Sequence, residues 1–179
     1  METIVFEGIP CCVLRRNRGR MRIAFHGGHL RVVLPRFLDP LPIIAEHRKW
    51  ILEKHEWLRQ QQRLAGELPL SDRTGEEFLH LVRDLSRRYG GALGVRPAVI
   101  RFRKMKSKWG SCSATGKISL NTWLQALPEA LIAFIVFHEL AHLKVRDHGS
   151  SFKALIRSEF PNFRELNNEL KLFSLKLQS

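Results

Sequence analysis

At 179 residues the chain is long enough for one ordinary domain with a small lobe attached, and it can bury a core without disulfides. A hydrophobic share of 44% with 26% charged residues excludes wholesale disorder. The longest uncharged apolar run, Ala130 to Phe137, excludes a membrane-spanning helix. The net charge of +13 disfavours cationic partners; it reads either as a solvated basic surface that aids solubility or as affinity for phosphates, nucleic acid and acidic polymers.

The start, METIVFEGIPCC, has neither the basic head nor the continuous apolar run of a secretory signal, so a soluble cytoplasmic protein is expected. Cys11, Cys12 and Cys112 form no CxxC pair and read as reduced thiols, which gives a cysteine-based zinc site no support. Residues 3–34 alternate in the β manner, with breaks at Gly8, Gly19 and Gly27-Gly28. The pattern predicts an antiparallel meander with arginines on its outer face, ended by Pro35, Pro40 and Pro42. Arg15, Arg16, Arg18, Arg20 and Arg22 concentrate positive charge there, and Arg96 to Lys108 holds six bases without an acid.

From Ile43 to Leu64 the period becomes helical, with Ile43, His47, Trp50, Ile51, Lys54, Trp57 and Leu58 on one stripe. The two tryptophans on it read as core packing. Thr74 and Glu77 form a capping box that opens a second helix, predicted to run to Tyr89 and end at Gly90-Gly91. AVIRFR (98–103) reads as a strand, SATG as a turn, and KISLN (117–121) as a further strand. Pro128 suits the first turn of a helix running to about Leu143. Ser150 or Ser151 would cap a short helix ending before Pro161, and Phe163, Leu166, Leu170 and Phe173 mark a last amphipathic one. The whole is α+β: a β lobe over 1–40, then a body over 41–179, expected to form one compact unit.

The chemistry lies in FHELAHLKVRDHGSSF. His138 and His142, four apart, project from one face of a helix and can reach a single tetrahedral zinc ion. Glu139 is too close in sequence to chelate with both and is suited to act as general base on a bound water. A chance HExxH in a chain of this composition has a frequency of roughly 3%, and a further His six residues on lowers it to about one in a thousand. The surrounding helix is apolar nearly all round, so burying these polar groups calls for compensation, which a metal provides. A catalytic zinc needs a third protein ligand, for which His148 is the choice, with Glu159 or Glu165 as the competing possibility. Asp147 reads either as an acceptor behind a ligand imidazole or as a surface acid.

The segment RKMKSKWGSCSATGKISLNTWLQALPEALIAFIVFHELAHLKVRDHGSSF resembles the YgjP-like metallohydrolases, relatives of the SprT-like and M48-type zinc peptidases. KxKSxWGSC, GKISLN, the Pro-initiated helix with HExxH and the third His carry the likeness over about 99–155. The resemblance implies a zincin-like α+β fold, with a small N-terminal antiparallel sheet, a helical body with a short sheet, and an HExxH helix. It also implies one Zn2+ per chain on His138, His142 and His148, with Glu139 catalytic and Trp109, Gly110 and Ser111 near the substrate. An edge strand at WGSC could pair with an extended peptide. Val145 stands where metzincins carry a glycine, which speaks against that fold. The chain also lacks the longer insert that many relatives carry after the Trp helix.

Three functions follow. The first is a metallopeptidase acting on peptide or protein, with possible non-specific nucleic-acid binding through the basic surface. The second, implied by some YgjP-like members, is a nucleoside triphosphate pyrophosphatase in which Arg101, Arg103, Lys104, Lys106 and Lys108 neutralise the polyphosphate. The third is a basic nucleic-acid-binding module with structural zinc. A monomer that does not engage membranes is expected.

Overall fold

The computed structural model describes residues 2–26 and 29–178, so the break expected at Gly27 and Gly28 lies outside the described residues. The chain divides into two compact units, 1–66 and 67–179. No described helix is long and apolar enough to cross a membrane.

The first unit holds β1 (Glu2–Phe6), β2 (Ile9–Arg16), β3 (Arg22–His26) and β4 (His29–Pro35), followed by α1 (Pro40–Glu46) and α2 (Arg48–Glu67). The sheet is not the expected meander. Its order is β1-β2-β4-β3, two antiparallel hairpins joined through a parallel β2–β4 pair. Burial explains the exchange. Leu30, Val32 and Leu34 alternate on β4 as fully as Ile9, Cys11 and Val13 do on β2, so both strands take central places. The half-exposed β3 goes to the edge.

The helix expected over 43–64 is two helices. Asp39 caps α1 by accepting from the Leu41 N–H, and the chain breaks at His47, whose Nδ1 lies 3.0 Å from the Ile43 carbonyl. Ile44 and Ile51 complete the core of this sheet, so the boundary expected at 40/41 falls inside the first unit. The tryptophans are not core residues: Trp50 is 43% and Trp57 48% exposed, the latter under the Lys54 ammonium. Period placed them on one stripe with Ile51, but of that stripe only Ile51 is buried, where it is joined by Ile44.

The second unit begins with α3 (Gly75–Leu93), opened by the expected Thr74/Glu77 box. The helix passes through Gly90 and Gly91 rather than stopping there, and ends at Gly94, whose φ of +66° makes the left-handed cap. A three-stranded sheet follows, built from β5 (Val99–Arg103), β6 (Gly110–Cys112) and β7 (Lys117–Asn121) in the order β5-β7-β6. β7 runs parallel to β5 and antiparallel to β6, which leaves β6 at an edge.

After a 3-10 turn, Pro128 sits at the N-cap of α4 (Glu129–Ala141), whose residues 131–137 are all buried. α5 (Ser150–Glu159) and α6 (Phe163–Gln178) pack against it. α5 is capped by Gly149 rather than by a serine hydroxyl, because Asp147 Oδ1 takes the Gly149 N–H at 3.0 Å and turns the chain into the helix. Phe160 closes α5 and meets Tyr89, Phe134 and Phe137 edge to face. α4 is therefore a core rod walled by sheet and helices, and its last turn is where polar groups have to be accommodated.

Candidate metal centre and active-site cleft

That last turn carries His138 and Glu139, with His142 at the helix C-cap. The chain then folds back through 143–149. Arg146 steadies this return by donating to the Ser113 and Ala114 carbonyls at 2.7 and 2.8 Å. His148 is thereby brought to the other two. Its Nε2 lies 3.1 Å from His142 Nε2 and 3.3 Å from His138 Nε2. One nitrogen of each ring lies within 4.8 Å of the others, and no other such group of three His, Cys, Asp or Glu occurs among the described residues.

The donor set fits a metal ion. Three imidazole nitrogens at the usual distance from a tetrahedral zinc stand about 3.4 Å apart, close to the separations here. His142 Nδ1 lies 3.1 Å from the Val145 carbonyl, which fixes that nitrogen as the N–H donor and leaves Nε2 with its lone pair towards the group. Burial and the neighbouring His142 and His148 hold His138 down at about 4, so it is a neutral ligand in ordinary conditions. His142 is lowered as well, chiefly by burial. Phe152 sets the three rings in place: it stacks on His142 at 4.5 Å and meets His138 and His148 edge to face at 5.0 and 4.8 Å.

Glu139 is 5% exposed, and its Oε2 has no hydrogen-bond partner among the described residues. Burial pushes its carboxyl up to about 7, against the opposing charge of Lys108. An orphaned buried carboxylate is costly in a merely structural role, and an incoming water or substrate proton would satisfy it. Glu139 lies against β6. A Cβ on Gly110 would sit 2.5 Å from Glu139 Oε1 and 2.6 Å from its Cγ. Gly110 is glycine because the carboxylate occupies that space. Gly110→Ala is expected to displace Glu139 and lower kcat about 100-fold with zinc retained, at a cost of roughly 1–3 kcal/mol in stability; paired kinetics, metal analysis and melting curves check this.

A cavity of about 380 Å³ opens over Glu139 and His138, lined also by Ser107, Lys108, Trp109, Gly110 and residues of α6. A second, of about 230 Å³, adjoins at Phe134, His138 and Asn167 and is walled by Phe152, Ile156 and Phe163. Of the substrate residues expected from sequence, Trp109 and Gly110 line the cleft, while Ser111 lies on β6 outside the lining. Arg101 and Arg103 share the exposed face of β5, at the opposite edge of the sheet from β6; neither they nor Lys106 line the cleft. Glu159 pairs with Arg88 at 3.6 Å and Glu165 is exposed in the first turn of α6, so neither joins the histidines.

One residue escaped the sequence reading altogether. Asn121, 1% exposed at the end of β7, accepts from the Met105 and Trp123 N–H groups and donates to the Met105 and Lys108 carbonyls at 2.8 and 2.9 Å. It clasps the loop that delivers Lys108, Trp109 and Gly110 to the cleft. Only its place at the end of a strand that carries Ile118 and Leu120 hinted at this. Asn121→Ala leaves several buried backbone groups unpaired and should destabilise the protein by on the order of 3 kcal/mol, measured by denaturant titration.

The family model described as the YgjP-like metallopeptidase domain matches residues 67–173. The UTP pyrophosphatase of Escherichia coli (strain K12) is 34% identical over 86 residues, which are 48% of this chain and 48% of that protein. The chain thus matches about half the length of this relative. Among solved structures, the metallopeptidase zymogen of Pyrococcus abyssi abylysin is 34% identical, covering 54% of this chain and 95% of that one with a TM-score of 0.46. The zymogen of Methanocaldococcus jannaschii jannalysin is 28% identical, covering 51% and 92% with a TM-score of 0.44.

Proposed function

The chain belongs to the YgjP-like metallopeptidase-domain family, and from that premise we propose that it is a zinc-dependent hydrolase that cleaves peptide bonds. The observation that carries the reading is the buried Glu139, whose Oε2 has no partner among the described residues, packed on Gly110 and lining one cavity with His138 of the three-histidine group. His138, His142 and His148 would hold one zinc ion. Zinc bound there supplies Lewis acidity, which polarises a carbonyl and makes water easier to deprotonate. Glu139 takes the proton of the attacking water on its carboxylate and delivers it to the leaving amine. Burial suits it to both duties, since it raises the proton affinity without removing the base.

Two features favour a peptide. β6 is an edge strand beside Glu139, so an extended chain can add to it through main-chain hydrogen bonds. The cavity walled by Phe134, Phe152, Ile156 and Phe163 offers a neighbouring side chain an apolar seat, with Lys153 and Asn167 also in its lining. Cleavage of a phosphoanhydride is the second reading. Lys108 and Lys171 in the cleft favour it, as does the relative named a UTP pyrophosphatase. The chain would be a cytoplasmic monomer.

Zinc-loaded protein assayed against an unfolded polypeptide and against UTP, with and without chelator, tests the reading. Zinc-dependent release of peptides is expected. Cleavage of UTP alone would replace the first reading by the second, and no zinc-dependent hydrolysis of either would refute both.

A further inference from the structure

The C-terminal helix enters the cleft through one stripe. Asn167, Leu170, Lys171 and Ser174, spaced as one face of a helix, line the same cavity as Glu139. The loop before β6 brings Lys108 to that cavity from the other side of the chain's order. Two lysines therefore line one space of about 380 Å³ whose lining includes a single acid, Glu139. That acid is committed to proton transfer. Among the described residues Lys171 donates to the neutral Asn168 Oδ1 at 3.1 Å, and a lysine carries three donors. Both lysines are exposed, and among the described residues neither forms a salt bridge within 4.0 Å. Two like charges facing one cavity are disfavoured when it is empty and favoured once an anion lies between them.

We propose that Lys108 and Lys171 form an anion subsite, which selects substrates bearing a carboxylate or phosphate beside the bond to be cleaved. The subsite rests on the hydrolase reading for its purpose but not for its existence. It makes α6 a substrate-binding element rather than a packing helix alone. Arg101 and Arg103 on β5 do not line this cavity.

The test uses the full chain with zinc. Otherwise identical peptides carry Asp, Asn or Lys at each position flanking the scissile bond, and UTP forms a separate arm. Binding is read by calorimetry on the Glu139→Gln protein, and cleavage on the wild type. The Asp peptide is expected to bind about tenfold more tightly than the Lys peptide, and Lys171→Glu should reverse that order. Lys171→Gln, with no new charge, should abolish the preference. If phosphate is the natural anion, UTP binds, and the same substitution weakens it at least tenfold. Cleavage of all peptides at equal rates, with UTP binding indifferent to Lys171→Glu, would overturn the subsite while leaving the hydrolase intact. A retained Asp or UTP preference in binding without any hydrolysis would support the subsite and refute the hydrolase.

Discussion

Replacing Glu139 with glutamine is expected to lower kcat about 10³-fold while the protein retains its zinc. Glutamine keeps the shape that fits against Gly110, so the substitution changes proton chemistry and little else. General acid and base assistance is worth roughly 10²–10⁴ in rate, and Glu139 is the one acid lining the cleft that could provide it. KM should change little, because the carboxylate acts on the reacting atoms rather than on substrate binding. Steady-state kinetics with metal analysis on the same sample checks both halves. Full activity in the variant would mean that another group moves the proton.

Removing any one of His138, His142 and His148 is expected to lower zinc affinity by more than about 100-fold. Losing a residue behind a ligand already costs 10- to 100-fold, and in the proposed site these three imidazoles are the ligands themselves. His148 is the informative one, since it lies beyond the helix and reaches the group through a turn held by Arg146 and Asp147. Competition against a chromophoric chelator measures the change. Glu159→Gln and Glu165→Gln should leave affinity unaltered, because Glu159 is occupied by Arg88 and Glu165 faces away into solvent. Unchanged affinity in His148→Ala would remove it from the ligand set.

How far the sequence discloses this arrangement depends on whether the signal is local. HELAH is local: two histidines one helical turn apart face the same way whatever surrounds them. The α3 capping box and the strands around 99–103 and 117–121 are equally short-range, and they appear where expected. The order β1-β2-β4-β3 is not local, because alternation identifies strands without naming neighbours. Trp50 and Trp57 misled for a related reason. A stripe at helical spacing shows which residues share a face, but which face is buried depends on Ile44 and Ile51 meeting a sheet. The cleft's far wall was illegible too. Leu170 reads as core, and so it is, but Lys171 beside it looks like any surface lysine until α6 is set against β6 and α4. Asn121 is silent in sequence because its four partners are backbone atoms.

The central claim is that a single zinc ion is held by three imidazoles beside Glu139. Zinc K-edge X-ray absorption on the metal-loaded protein tests it most directly, since nitrogen and sulfur ligands differ in bond length. The account predicts one zinc per chain, with nitrogen or oxygen ligands at about 2.0–2.1 Å and multiple scattering from three imidazole rings. A shell at about 2.3 Å, the distance of thiolate sulfur, would place the metal on the cysteines and contradict the account.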